Sequence, residues 1–272
     1  MLGRILVALL LIPVVFFIVY VGYIPFLVFI CLICLLGAYE FWELVSGMGF
    51  VPRKTAGSIF VFLVIISIFF NNMGIASVLS NETTGMLMSL AFIFILSYEV
   101  IKQDLSVALP SLSVTAFGII YTGFLPGHFL LLRDLKPGGF AYTILMLAVV
   151  WAADSAAYFI GTAYGKHRLS KISPKKSVEG SIASVIASVL VILAAKKFFI
   201  KEFTYNDVFI LGILSSIFAQ FGDLAESLIK RSAGVKDSSA LLGNHGGILD
   251  KLDSFIFAVP LFYYYIKFGV IK

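Results

Sequence analysis

Long hydrophobic runs, broken by short segments rich in Gly, Pro, Asn or charge, recur along the whole chain. A helix needs about 20 apolar residues to cross the hydrocarbon core of a bilayer, and these runs approach or exceed that length. They are too long and too uniformly apolar for the alternating strands of a membrane barrel. The pattern therefore predicts an all-α, polytopic integral membrane protein with about nine transmembrane helices. The predicted spans are 4–21, 24–46, 56–72, 84–102, 107–126, 139–161, 180–200, 206–229 and 252–270.

The composition agrees with a membrane protein. Of the 272 residues, 60% are hydrophobic and 13% charged, with a mean hydropathy of +1.04, whereas a soluble domain carries about 25% charged residues. This excludes a soluble enzyme, a secreted disulfide scaffold and a disordered tail. Cys31 and Cys34 lie inside an apolar run and are interpreted as packing residues. The first run continues past Pro25 without a small-residue cleavage site, which predicts an uncleaved first helix.

The net charge of +5 is interpreted as loop charge that sets orientation, so no nucleic-acid partner is expected. Two loops interrupt the apolar pattern, 162–179 and 230–251. With the N-terminus inside, both loops face the cytoplasm, as the excess of Lys and Arg on that side favours. We expect a protein of the cytoplasmic (inner) membrane, with N-terminal scaffold helices over 1–138 and a catalytic region over 139–272.

Carboxylates inside two C-terminal apolar runs are the first sign of chemistry. Asp154 lies in one run, and Asp223 and Glu226 lie in another. Each carboxylate costs about 2.5–3.5 kcal/mol at the bilayer centre, so we expect them to face a polar cavity. Asp250 and Asp253 are three residues apart and share a helix face. Such carboxylates suit Mg²⁺, while the alternative is a buried hydrogen-bonded pair that only orients helices.

Both loops also offer cations for phosphate. In 230–251, Lys230, Arg231 and Lys236 precede a His-Gly-Gly sequence whose glycines can turn N–H groups toward an anion. Together with nearby carboxylates, this combination indicates phosphoryl chemistry. In 162–179, Lys175 and Lys176 could accompany a triphosphate, and the alternative is a loop that only sets orientation.

The N-terminal half contains few candidates. Four charged residues near predicted helix ends are explained by side chains that reach the membrane interface rather than by function. They are Glu40, Glu43, Glu99 and Lys102.

The C-terminal motifs resemble those of the phosphatidate cytidylyltransferases, also called CDP-diacylglycerol synthases. The signature is Ser227-Leu228-Ile229-Lys230-Arg231, Lys236-Asp237, His245-Gly246-Gly247 and Asp250-Lys251-Leu252-Asp253. Upstream, Trp151–Asp154 and Ser173–Gly180 are also similar to the family. Lys251 departs from the pattern, because the family has Arg there and the bidentate guanidinium is lost.

The resemblance implies an enzyme that transfers CMP from CTP to phosphatidic acid, giving CDP-diacylglycerol and pyrophosphate. It implies Mg²⁺ as cofactor and leaves a second, monovalent cation open. The implied metal ligands are Asp223, Asp250 and Asp253, with Asp154 and Glu226 as weaker candidates. The implied catalytic residues are Lys230, Arg231, Lys236, Asp237 and His245. The implied substrate-binding residues are Ser173, Lys175, Lys176, Ser227, Gly246 and Gly247.

The expected partners are CTP, phosphatidic acid and membrane lipids. Gly161 and Gly165 on one helix face would also permit close helix contact and a homodimer. Two other functions stay open. A CTP-dependent polyprenol or phytol kinase would use the same metal and cationic groups, while a cation-coupled transporter could use the intramembrane carboxylates. The concentration of polar residues in the C-terminal part argues against the transporter.

Overall fold

The computed structural model describes residues 2–73, 83–241, 243 and 246–271. Helices dominate these residues, and the strand pairing described among them is a single isolated bridge between Arg168 and Ser177. The helices are α1 Leu2–Val21, α2 Tyr23–Gly47, α3 Lys54–Met73, α4 Thr83–Lys102, α5 Ala108–Ile119, α6 Leu125–Arg133, α7 Gly139–Tyr164, α8 Val178–Phe198, α9 Tyr205–Ser232 and α10 Leu249–Tyr265. Two π-helical segments, Ile120–Phe124 and Ile266–Val270, follow α5 and α10.

The predicted all-α membrane architecture is confirmed. Within the described residues, six helical stretches are long and apolar enough to cross a membrane: α2, α4, the continuous stretch Ala108–Arg133, α7, α8 and α9. How many helices cross stays a prediction. The fifth predicted span, 107–126, was too short, because the π-helical segment carries the chain past Pro126 into α6. Proline is tolerated there because it lies in the first turn of that helix.

The chain forms two compact units. The first unit contains Met1–Leu131 and Ile229–Leu252, and the second contains Leu132–Leu228 and Asp253–Lys272. The end of the first segment lies near the predicted division at residue 138. The signature segment 229–252, however, groups with the N-terminal helices.

Aromatic side chains on α2 form part of the core of the first unit. Phe41 and Trp42 are each 1% exposed, and their ring centroids lie 5.2 Å apart in an edge-to-face arrangement. The ring centroid of Tyr121, in the π-helical segment Ile120–Phe124, lies 6.0 Å from that of Phe41. Cys31 and Cys34 are buried and free, as expected of packing residues. This core anchors α2 within the first unit.

In the second unit, α7 and α8 approach closely at glycines. A Cβ added to Gly180 would lie 2.7 Å from the carbonyl oxygen of Ala157 and 3.3 Å from the Cα of Gly161. The start of α8 is capped by Ser177, whose Oγ accepts a hydrogen bond from the Gly180 N–H at 3.1 Å. Gly161 therefore serves a helix contact inside the chain, while the homodimer stays a prediction.

Candidate active site

The second unit brings together two of the predicted carboxylates and one predicted lysine. Asp223 on α9 forms an ion pair with Lys176, which lies in the loop before α8. Asp154 on α7 is within electrostatic range of both side chains. Ser227, one turn along α9, donates a hydrogen bond to Asp223 Oδ1 at 3.4 Å. We call Asp154, Lys176, Asp223 and Ser227 the aspartate–lysine cluster.

The loop before α8 is folded in a way that places Lys176. The Lys176 N–H donates to the Ser173 carbonyl oxygen at 3.0 Å, and the Lys176 carbonyl oxygen accepts from the Leu169 N–H at 2.9 Å. Lys175 is exposed, whereas the side chain of Lys176 is only 25% exposed. The loop therefore places Lys176 against the carboxylate of Asp223. Lys175, the other lysine predicted to bind the triphosphate, is exposed to solvent.

The backbone of α10 reaches α9 beside Asp223. A Cβ at Gly222 would overlap the carbonyl oxygen of Asp253, so this position needs a residue without a side chain. Asp253 is half-buried, and its Oδ1 accepts a hydrogen bond from the Ser254 N–H at 2.6 Å. Glu226, three residues beyond Asp223, is completely buried. Both carboxylates thus lie in the same unit as the aspartate–lysine cluster.

The first unit contains a second group of predicted residues, centred on Asp250. Its Oδ1 accepts from the ammonium of Lys230, and each side chain of this ion pair is 11% exposed. Its Oδ2 accepts from the Gly247 N–H at 2.7 Å and from the Ser238 N–H at 3.1 Å. The structure therefore pairs a predicted metal ligand with a predicted phosphate-binding lysine.

Glu40 on α2 lies against the same loop. Its carboxylate is completely buried and accepts hydrogen bonds from the N–H groups of Ile248 and Leu249, at 2.9 Å and 2.7 Å. It also accepts from the hydroxyls of Ser238 and Ser239, at 2.9 Å and 2.6 Å. The prediction that Glu40 reaches the membrane interface is wrong, because the first turn of α10 offers it unpaired N–H groups and a favourable dipole.

The two signature glycines make room for carboxylates. Gly246 has a φ of +81°, which favours glycine, and a Cβ there would contact Asp250 Oδ2. A Cβ at Gly247 would overlap Ser238 Oγ and the carboxylate of Glu40. The Gly247 N–H, expected to face a substrate anion, points instead at Asp250. A contact of either glycine with substrate stays a prediction.

The remaining predicted residues lie at the surface or outside the described chain. Arg231, Lys236 and Asp237 are exposed, and Arg231 donates to the Val235 carbonyl oxygen at 3.0 Å. His245 lies outside the described residues.

Comparison with known proteins gives the family. A sequence model described as the cytidylyltransferase family matches residues 2–269. The chain belongs to the cytidylyltransferase family. Relatives named phosphatidate cytidylyltransferase include one from Synechocystis sp., which is 32% identical in a 260-residue alignment that covers 85% of this chain and 84% of the relative. Others are from Bacillus subtilis, 33% identical over 64% of this chain and 65% of the relative, and Staphylococcus aureus, 38% identical over 64% and 66%.

The donors of this cytidylyltransferase-family member suit Mg²⁺ only in part. Among the residues that the structure describes, no three His, Cys, Asp or Glu side chains form a group that could hold a metal. Mg²⁺ is usually held by one or two carboxylates, with water and substrate phosphates completing its shell. Asp223, which pairs with the Lys176 ammonium, is one such carboxylate, and Asp154 interacts electrostatically with both groups. The predicted ligation by Asp250, Asp253 and Glu226 stays a prediction.

Sequence reasoning missed two buried glutamates. Glu40 and Glu99 are 0% and 3% exposed, and Glu99 forms an ion pair with Arg53. The prediction that Glu99 reaches the interface is therefore also wrong. A usable signal was present for Glu40, which is surrounded by Leu, Ala, Phe and Trp within a hydrophobic run. The argument that singled out Asp154 applies equally to it, because a carboxylate inside an apolar run needs polar partners.

Proposed function

We propose that the protein transfers CMP from CTP to phosphatidate, giving CDP-diacylglycerol and pyrophosphate. The observation that carries this proposal is the 32% identity, over 260 residues, to the Synechocystis protein named phosphatidate cytidylyltransferase. The aspartate–lysine cluster supports it, because carboxylates and an ammonium in one place suit a reaction between phosphate groups.

The reaction requires positioning more than acid–base catalysis. An oxygen of the lipid phosphate attacks the α-phosphorus of CTP, and the bond from that phosphorus to the bridging oxygen of the β-phosphate breaks. Pyrophosphate leaves with the electron pair of that bond. The attacking phosphate is already ionised, so no strong general base is needed. The protein must therefore hold two anionic groups together and offset their charge.

We assign the CTP phosphates to the aspartate–lysine cluster. Lys176 exchanges its partner Asp223 for a phosphate oxygen, and the exposed Lys175 adds a second cation. Asp154 and Asp223 are the proposed holders of Mg²⁺, which when bound would offset charge on the phosphate oxygens. Ser173 and Ser227 complete the proposed substrate contacts.

The remaining roles are carried over from the family signature. Lys230, Arg231 and Lys236 are proposed to receive a substrate phosphate. Asp237, His245, Gly246 and Gly247 are proposed to line the pocket. Asp250, Asp253 and Glu226 are proposed as further metal ligands, and a second, monovalent cation is part of this proposal.

The proposed location is the cytoplasmic (inner) membrane, with loops 162–179 and 230–251 on the cytoplasmic side, where CTP is available. The distribution of Lys and Arg along the sequence supports this orientation. A homodimer stays a prediction.

The experiment uses protein purified in detergent, phosphatidate, Mg²⁺ and CTP labelled at either the α- or the γ-phosphate. The proposal predicts α-label in the lipid fraction. Transfer of γ-label, seen only when a lipid alcohol is supplied, would identify a lipid kinase instead. If neither label enters lipid above the Asp223→Asn blank, the proposed enzyme activity is wrong, and substrate uptake into proteoliposomes without CTP would indicate a transporter.

A further inference from the structure

Glu40 joins two stretches of the loop 230–251 that are separate in sequence. Its Oε1 accepts from Ser239 Oγ and the Ile248 N–H, and its Oε2 accepts from Ser238 Oγ and the Leu249 N–H. Each oxygen thus binds one donor from the middle of the loop and one from its end at α10. A single buried carboxylate therefore holds the middle of the loop next to its C-terminal end.

The same contacts lead from Glu40 to the Lys230–Asp250 ion pair. Ser238 joins the two carboxylates, because its hydroxyl donates its single proton to Glu40 Oε2 at 2.9 Å while its N–H donates to Asp250 Oδ2 at 3.1 Å. Asp250 follows Leu249, whose N–H Glu40 binds, and thus lies in the first turn of α10. Any movement of the Glu40 carboxylate would therefore shift both Ser238, whose N–H binds Asp250, and the turn that carries Asp250.

The donor pattern suits a carboxylate better than an amide at position 40. Four donors converge on two oxygens, and an ionised carboxylate can accept from all of them. A glutamine amide has one acceptor oxygen and an NH₂ group, so one backbone N–H would face another donor, and the serine hydroxyl beside it would have to turn and accept instead of donate. A glutamine side chain of nearly the same shape would therefore not replace the Glu40 carboxylate.

We infer that Glu40 is a positioning residue, whose carboxylate holds Asp250 and Lys230 in place through Ser238 and the first turn of α10. This inference rests on the proposed function for its consequence in turnover. The effect of Glu40 on the placement of the loop can be tested without assuming the proposed function. Glu40 itself contacts loop donors and is not assigned any contact with substrate.

The kinetic test compares Glu40→Gln with Glu99→Gln, a second buried glutamate of the first unit that is paired with Arg53. Both variants are measured on the monodisperse fraction after size-exclusion chromatography in detergent. We expect kcat of Glu40→Gln to fall about 100-fold, as small misplacements of reacting groups do. Glu99→Gln should keep the wild-type kcat, and Glu40→Asp, which retains the charge, should recover part of the loss.

A second readout is hydrogen–deuterium exchange of residues 246–252. Loss of the Glu40 carboxylate should speed exchange at the N–H groups of Ile248 and Leu249, whereas Glu99→Gln should leave it unchanged. Wild-type exchange in Glu40→Gln would overturn the inference, even if kcat falls. Faster exchange with wild-type kcat would also overturn it, because the loop would then move without consequence for the reaction.

The double variant Glu40→Gln with Ser238→Ala tests whether Glu40 acts on Asp250 through Ser238. If Glu40 acts through Ser238, the double variant should have a kcat close to that of Glu40→Gln alone, since both changes remove the same link. Multiplicative losses would overturn this route. If the wild-type protein does not transfer α-label, the proposed function fails separately. Faster exchange in Glu40→Gln would then still support the placement of the loop by Glu40, and unchanged exchange would refute it.

Discussion

Gly180→Ala tests whether the close approach of α7 and α8 positions the aspartate–lysine cluster. The added methyl carbon would lie 2.7 Å from the carbonyl oxygen of Ala157, whereas carbon–oxygen contacts normally begin near about 3.3 Å. The two helices must therefore separate by about 0.6 Å. Ala157 lies three residues after Asp154 on the same face of α7, and Gly180 lies four residues after Lys176. The separation thus changes the distance between the two charged groups.

The expected loss of stability follows from two opposing terms. Overpacking of a close contact costs about 1–3 kcal/mol, while replacing glycine by alanine within a helix returns about 0.5–1 kcal/mol. The midpoints of these ranges give a net loss of about 1.3 kcal/mol in the free energy of unfolding. At about 2–4 °C per kcal/mol for a chain of this size, Tm should fall by several degrees.

Gly85→Ala in α4 is the matched control, because nothing lies within 4 Å of a Cβ at that position. It should keep or raise Tm and leave kcat unchanged. Thermal unfolding in detergent and CTP-dependent turnover are measured on both variants, and kcat of Gly180→Ala should fall about 10–100-fold. If Gly180→Ala matches Gly85→Ala in both Tm and kcat, the reasoning from helix separation to the cluster is refuted.

Three further predictions concern the charged groups. Lys176→Met should raise the KM for CTP about tenfold or more, because it removes a charge-assisted hydrogen bond to the triphosphate; an unchanged KM would exclude Lys176 from CTP binding. Lys230→Met should lower the free energy of unfolding by about 3 kcal/mol, since it leaves the mostly buried Asp250 without its ammonium, and a wild-type Tm would contradict this. Removal of divalent cations with EDTA should stop turnover, and added Mg²⁺ should restore it; turnover that persists in EDTA would contradict the proposed cofactor.

The lengths of the hydrophobic runs located the helices well, because the bilayer imposes a minimum length on each apolar run. The fifth predicted span ended at residue 126, whereas the helical stretch continues through the π-helical segment into α6, whose first turn accommodates Pro126. Run length also could not assign segment 229–252 to the first unit. That grouping involves contacts with Glu40, about 200 residues earlier in the sequence, and spacing within one helix carries no information about them.

For the site, residue types were easier to predict than partners. The acidic and basic residues of α9 and its flanking loops were found from their cost in an apolar run and from their spacing. The ion pairs that these residues form were not predicted. Asp250 accepts from Lys230 and Asp223 from Lys176, and in each pair the two residues come from different elements, which spacing within one helix does not predict. Glu40 was missed because its position near a helix end suggested an exposed side chain, whereas the loop encloses it completely.

The most direct test of the account counts both products of one reaction in the wild-type protein and in Asp223→Asn. Purified protein is given phosphatidate, CTP and Mg²⁺, and lipid-bound CMP and released pyrophosphate are quantified from the same sample. The account predicts equal amounts of the two products from the wild type and neither from Asp223→Asn, which should elute as a folded protein with an unchanged size-exclusion profile. Full turnover by Asp223→Asn, or lipid modification without pyrophosphate release, would contradict it.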